Sequence, residues 1–353
     1  QNRQLGQQKD NDCCRRQRGW KQAGESNEAG SEGDQRGRVR ADAVREFLVE
    51  KGNDCISIFK RINSGLQDMD QQMQEFVKSG LNMFFSPEMQ DCLAKVREIA
   101  GYELSPQNRV PFLLFHKFIT EPQPDFISKL RSDPKKEHWY HDLVNGILGN
   151  VRSSFSCVLY HQDRVVQLEQ MLMEVLEEHN IKGLPKNGSL GLGGTTVLDF
   201  EYQAYVLAFR RCLDQFAWAL AAFFKNRYSS FRTLASFLER QKPKAVAQKI
   251  IDIHKNHVSN FEFVLSEGGV TSIRDRIAHH EFVSAGCFNL SNRGVVLVGG
   301  GENLNIPSGI SKTLAEILEY KSRCLHQCIA EMIETFIVEV GNWDVENRRQ
   351  GSK

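Results

Sequence analysis

The sequence predicts an all-α protein: a helical bundle with one small β-hairpin inserted near the C-terminal helix. Three observations carry that prediction. Apolar residues recur at steps of three and four along most of the chain after residue 136, the period of a helix with one buried face. Helix punctuation is present, with Ser86-Pro87 opening one stretch and Gly101 closing it. Strand-like runs are short, at Phe288–Leu290 and Val295–Val298, and they flank the turn-like Ser291-Asn292-Arg293-Gly294.

The elements follow in order. Residues 1–40 are rich in Gln, Gly, Arg and acids and poor in apolar side chains, so they predict a disordered, solvated tail. Residues 41–135 predict an N-terminal helical region. Its stripes are Val44, Phe47, Leu48 and then Ile56, Phe59, Ile62, followed by a helix over Glu88–Ala100 and a short one near Phe112–Ile119 among five prolines. Residues 136–195 predict a long helix and a glycine-rich linker. The helix stripe is Leu143, Ile147, Val151, Phe155, Val158, Val165, Leu168, Leu172 and Val175, close to a bundle seam. Residues 196–345 predict a C-terminal helical domain with helices over Asp199–Lys225, Ala245–Leu265 and Leu314–Val340, the hairpin lying between the last two.

Composition bounds the function. Hydrophobic residues at 41% and charged residues at 25% are ordinary for a globular chain with a sizeable core. The net charge of +1 gives no global field towards nucleic acid or a membrane, so any anion site is local. Nine cysteines, an odd number without a C-x-x-C pair, predict free thiols in a reducing compartment. Apolar runs such as Ala217–Phe224 are too short to span a bilayer, and no secretory core precedes them. The expected location is the cytoplasm, with no membrane partner.

Several motifs that carry chemistry elsewhere are absent or incomplete. Gly191-Leu192-Gly193-Gly194 and Gly299-Gly300-Gly301 lack the spacing of a phosphate-binding loop and predict linkers, with Thr196 and Asp199 opening the helix that follows. His254-x-x-His257 has no accompanying glutamate and places His257 on an apolar stripe, while Cys324, His326 and Cys328 do not converge. No metal site and no cofactor are expected.

The remaining signal is Arg274-Asp275-Arg276-Ile277-Ala278-His279-His280. An arginine holds a phosphodiester with several donors, and a histidine titrating near neutrality can move the proton of a ribose 2′-hydroxyl. Spacing alone decides little, because Arg109…His116 and Arg131…His138 match it too. Those two contain Pro111 and Pro134, which speak against a regular helix interior, whereas the Arg274 segment has no proline and carries Ile273, Ile277 and Ala278 at helical steps.

In that context the segment resembles the signature of the HEPN superfamily: an arginine, a polar residue, and a histidine four to six positions after the arginine. The likeness covers the C-terminal part, from about Thr196 to Val340. It implies a bundle with the motif between two helices, and metal-independent endoribonuclease activity, often in defence or toxin systems. It also implies RNA as the partner, with no DNA expected, and a homodimer that brings two motifs together. Arg274 would hold the phosphate, Asp275 would be the polar second position, His279 the acid–base residue with His280 also at a permitted spacing, and Arg276 would contact a second phosphate. In some family members a modified tyrosine follows the histidine by two residues. Glu281 and Phe282 stand there instead, which argues against a nucleotidyltransferase partner. At 100° per residue, Arg274 and His279 lie about 140° apart on one regular helix. Either Arg274 precedes the helix or a second subunit completes the site. A non-catalytic module of the same fold, binding RNA, nucleotide or protein, is the competing class.

Overall fold

A computed structural model describes residues 75, 86–120, 125–178, 188–190, 194–265, 272–279, 282–291, 294–299 and 313–351. The expectations for residues 1–40 and for the stripes between Val44 and Ile62 lie outside the described residues. The rest is built mainly of helices: α1 Pro87–Ala100, α2 Pro106–Thr120, α3 Asp125–Ser132, α4 Glu137–Asn145, a π-turn at Gly146–Val151, α5 Arg152–Glu178, α6 Thr196–Phe223, α7 Leu234–Leu238, α8 Lys244–His257, α9 Glu262–Leu265, α10 Ile273–His279 and α11 Leu314–Gly351. Three short extended segments, β1 Gly188–Leu190, β2 Gly286–Ser291 and β3 Gly294–Gly299, run antiparallel in the order β1-β2-β3, with Gly188 opposite Leu290 and Gly286 opposite Gly299. Among the described residues, no helix is long and apolar enough to cross a membrane.

Helix α6 is the centre of the bundle. Tyr202, Tyr205, Phe209, Cys212, Phe216, Ala219 and Phe223 are all buried along it, and so are residues on its other sides such as Val206, Leu213 and Ala217. A helix apolar nearly all round has to be enclosed by its neighbours. The π-turn and α5 lie along one side and supply Ile147, Val151, Phe155, Val158 and Val165, each fully buried. Further along that stripe Leu168 and Leu172 are half-buried and Val175 is exposed, so the seam opens towards the end of α5. Helix α11 closes another side with Leu318, Leu325, Cys328, Met332 and Phe336, and Phe223 meets Phe336 edge-on at 5.0 Å. One apolar cluster runs from Leu104 to Val340.

Residues chosen by local chemistry set the ends of several helices. Ser86 accepts the Met89 N–H at 3.3 Å and Pro87 occupies the first turn of α1. Thr313 and Glu316 cap α11 reciprocally. The Thr313 N–H donates to the Glu316 carboxylate at 2.9 Å, and the Glu316 N–H donates to the Thr313 hydroxyl at 3.2 Å. Pro111 does not break its helix. It sits inside α2, and Arg109 and His116 therefore share one helix, against the sequence expectation. The missing Pro111 N–H frees the carbonyl of Gln107, four residues back, and the His326 ring lies near the Gln107 main chain.

The π-turn comes close to α6 at Gly146, its first residue. A Cβ there would stand 2.7 Å from the Cβ of Ala219 and 3.2 Å from its Cα, both held in the buried middle of the bundle. Gly146→Ala should therefore destabilise the fold by about 1–3 kcal/mol, through overpacking that no flexible side chain can relieve. Chemical denaturation of the two proteins measures it, and equal stability would show that α4 and α6 can move apart freely.

Burial holds the His116 and His326 imidazoles below the ordinary histidine value of 6.5. As pH falls the unfolded chain is protonated first. The stability these neutral rings contribute is complete above the unfolded value and is lost as pH drops through the folded ones. The urea midpoint should decline below about pH 6.5, and less steeply in His116→Phe. An identical pH profile for variant and wild type would contradict the assignment of His116 to this effect.

Candidate functional site

The Arg274 segment forms α10, a helix of seven residues, Ile273–His279. It forms because its start is capped and its first residue is buried. The Asp275 N–H donates to the Ser272 hydroxyl at 3.1 Å, the Ser272 hydroxyl donates to Asp275 Oδ2 at 2.9 Å, and the Arg276 N–H donates to the Ser272 carbonyl at 3.0 Å. Ser272 is 2% exposed and Ile273 is fully buried, so the cap and the first residue anchor the helix to the core. α10 packs against α6 and α9.

Arg274 Nη1 donates to Asp275 Oδ1 at 2.7 Å, and both side chains keep about a third of their surface exposed (35% and 32%). Asp275 thus serves two partners, the cap on one side and the guanidinium on the other. Arg276 is half-buried and lies near Tyr202 of α6. Burial raises the Tyr202 phenol above its ordinary value, and the positive charge of Arg276 pulls against that rise. His279 ends the helix and is exposed. His280 lies outside the described residues.

Arg274 belongs to α10 rather than preceding it, so both ends of the motif share one short helix. They stand about 140° apart around its axis and about 7.5 Å along it. The structure therefore gathers Arg274, Asp275 and Arg276 near the start of α10 and leaves His279 at its other end. The chain after the helix is held in place by Asp199, which is buried. Its Oδ1 accepts the Ala285 N–H at 2.7 Å and the Ser284 hydroxyl at 3.1 Å. Asp199 stands in the first turn of α6, as expected, but Thr195 rather than Thr196 occupies the cap position and makes no side-chain cap bond. Gly194, just before it, has φ of 92°, a conformation suited to glycine. Gly191–Gly193 and Gly300–Gly301 lie outside the described residues.

Other sequence candidates hold structural positions. His254 Nε2 bonds the Phe231 carbonyl at 2.8 Å, and His257 Nε2 bonds the Glu331 carboxylate at 2.8 Å, so the two rings are bound to different partners. Cys324 and Cys328 are buried thiols, and His326 stacks on Phe155 at 5.7 Å. Among the described residues no three His, Cys, Asp or Glu side chains group as a metal site would require.

Two residues escaped the sequence reading. Ser272 was legible, because Ser-x-x-Asp before apolar positions is a capping signal. The proximity of Tyr202 to the charge of Arg276 had no local signal, since 74 positions separate the two. No protein-family model, curated protein or solved structure matches the chain.

Ser272→Ala removes the α10 cap and should cost about 0.5–2 kcal/mol locally. Faster amide hydrogen exchange across Ile273–His279, with α6 unchanged, is the expected readout. Unaltered exchange in α10 would mean that the cap does not hold the helix.

Proposed function

We propose that the chain is a metal-independent endoribonuclease of the HEPN type, acting as a homodimer, in which Arg274 holds the scissile phosphate and His279 moves the proton of the 2′-hydroxyl. One observation supports it most. A short helix, fixed to the core by Ser272 and Ile273, presents Arg274 and His279 at its surface, with the guanidinium oriented by Asp275. In this reading the ribose 2′-oxygen attacks phosphorus, its proton passes to a histidine, and the 5′-oxygen leaves to give a 2′,3′-cyclic phosphate. Arg274 stabilises the charge that grows on the phosphate oxygens. Arg276 contacts a neighbouring phosphate, and His280 is the alternate proton acceptor. The strands β2 and β3 are the small hairpin carried between the motif helix and α11.

The angular separation of Arg274 and His279 favours two copies, each lending one group to a shared site. A surface for that meeting adjoins the motif: Phe282, three residues after His279, meets Phe200 edge-on at 6.2 Å, and Val197, Phe200 and Phe282 are 57%, 59% and 60% exposed. Contiguous exposed apolar side chains of this kind mark association surfaces more often than bare solvent-facing ones.

Single-stranded RNA incubated with the protein in EDTA should be cut to cyclic-phosphate ends. Arg274→Ala and His279→Ala should each lower the rate by about 10²–10⁴-fold, the usual worth of an acid–base group or a charge-stabilising one. Cleavage that survives both substitutions would remove the site. RNA binding without cleavage by the wild type would favour the non-catalytic module. Phe200→Glu should shift the sedimentation from dimer to monomer and lower cleavage with it, and a dimer that persists would place the interface elsewhere.

A further inference from the structure

A strongly basic surface lies away from the motif, between the end of α6 and the start of α8. Six cations and one acid stand between Asn226 and Lys249: Arg227, Arg232, Arg240, Lys242, Lys244 and Lys249 against Glu239. That is a net charge of +5 in 24 residues of a chain whose total is +1. All six cations are exposed. Among the described residues none of them forms an ion pair, and the Lys244 ammonium donates to the Glu239 carbonyl rather than to its carboxylate. Elsewhere cations are matched, as Arg210 is by Asp214 at 2.7 Å and Arg348 by Asp125 at 3.0 Å.

The segment is folded on itself and anchored by its apolar residues. Phe231, Leu234, Leu238 and Val246 are fully buried, with Phe231 against His254 at 4.9 Å. Tyr228 stacks on Phe237 at 4.3 Å, and the Asp214 carboxylate of α6 accepts the Phe231 N–H at 3.2 Å. α7 packs against α8. With the apolar side chains turned inward, the cations are left on the outer side of one lobe. Their mutual repulsion works against the compact state, and a partner of opposite charge relieves it.

The surroundings of the cations decide which partner fits. No large apolar side chain is exposed between Asn226 and Lys249. A helix that lies on a membrane inserts an apolar face, and a protein–protein interface has an apolar core. This surface offers neither. Asn226, Ser229 and Ser236 are exposed among the cations, and side chains of these types donate to phosphate oxygens. Tyr228 and Phe237 are half-buried and each spends a ring face on the other, so the lobe presents charge and hydrogen-bond donors rather than a platform for bases.

We propose that the lobe from Arg227 to Lys249 binds the phosphodiester backbone of a nucleic acid without reading its sequence. This does not rest on the ribonuclease reading. Tyr202, beside the motif helix, and Phe223, just before the lobe, are about 30 Å apart along α6.

Fluorescence anisotropy of the full chain with two labelled single strands tests it. One is 2′-O-methyl RNA, in which the 2′-oxygen cannot attack, and the other is DNA. The wild type should bind with a Kd of about 1–100 μM at moderate salt. A log–log plot of affinity against salt should have a slope of about −3 to −4, since each phosphate contact on a single strand contributes about −0.7. The triple variant Arg232→Gln/Arg240→Gln/Lys242→Gln should bind at least about ten-fold more weakly, with a slope shallower by about 2. Arg227→Gln/Lys249→Gln, an independent pair on the same lobe, should make the slope shallower by about 1.4 and decides the matter if the triple variant does not fold. Lys95→Gln/Arg152→Gln/Arg323→Gln removes the same charge from α1, α5 and α11 and should leave the slope unchanged. Equal affinity for the two strands identifies the shared backbone as the ligand, and a preference identifies which nucleic acid the lobe holds. The proposal is overturned if neither strand binds, if the lobe variants bind as the wild type does, or if the control triple weakens binding as much as they do. It is also overturned if polyglutamate or vesicles of anionic lipid bind as tightly as the strands, or if Arg274→Ala abolishes binding while the lobe variants do not. Cleavage is not read in this assay, so an inactive motif leaves its result standing.

Discussion

Enclosing α6 is the constraint on which the other elements depend. Sixteen of its 28 residues are buried, and they face more than one direction. Each large apolar side chain withdrawn from water contributes about 1.5–3 kcal/mol, so a free side of α6 would be costly. α4, the π-turn, α5, α9 and α10 pack on it, and α11 reaches it through Phe336 and Ser322. The small residues Ala217, Ala219, Ala221 and Ala222 let neighbours come near, and Gly146 uses the space that Ala219 leaves. Where α4 runs into α5, the π-turn adds a residue to one winding, which changes the face that the helix turns to α6. The buried thiol of Cys212 lies 3.9 Å from the Val151 carbonyl at the end of that turn, behaving as a small apolar side chain with a weak donor.

Polar groups from the long helices tie the rest together. Asp344 of α11 accepts the Asp125 and Phe126 N–H groups at 2.8 and 3.1 Å, capping α3 from 218 or more residues away. Glu169 of α5 accepts the Ala315 N–H at 2.8 Å at the start of α11. Asp214 of α6 accepts the Phe231 N–H at 3.2 Å, and Lys321 of α11 donates to the Asn260 carbonyl at 3.0 Å. Asp199 belongs to the same set. In each case a buried or half-buried side chain satisfies a helix end or loop that local sequence leaves open. Because unpaired groups in such places cost about 1–3 kcal/mol each, these bonds select one arrangement of the helices over others of similar apolar burial.

This division explains what could be read in the sequence. The stripes of α5, α6, α8 and α11 were legible because burial on one side imposes a period of three and four residues. Within Ala245–Leu265 the positions Val246, Ile250, Ile253, His257, Phe261 and Val264 follow that period; all are buried except Ile253, which is half-buried, although the chain changes from α-helix to a 3₁₀ turn at Val258. Ser86 and Gly101 were legible because caps are local chemistry. The carboxylate ties were not, since Asp344 and Asp125 are neighbours only once the bundle has formed. Pro111 misled for the opposite reason. A local rule predicted a broken helix, but Pro111 sits within α2 as one of its buried residues, packed with Phe112, Phe115 and Ile119 on the core. At the motif, residue types and spacing located α10, and that Arg274 lies within the helix follows from the Ser272 cap, a local signal that the sequence reading passed over.

Tyr202 and Tyr205 show how closely the motif helix and α11 are mounted. They are three residues apart on α6, about one helical turn, and both are fully buried. Tyr202 feels the charge of Arg276 on the motif helix, and its hydroxyl has no hydrogen-bond partner among the described residues. Tyr205 binds Leu318 and Ser322 on α11. Burial raises both phenols, so each stays neutral and acts through its dipole rather than a charge. The motif helix and α11 therefore rest on the same turn of the most enclosed helix in the bundle. A close-packed interior of this kind resists small displacements. That rigidity would suit the phosphate-binding role proposed for Arg274, whose strength in a transition state depends on being oriented before the charge develops.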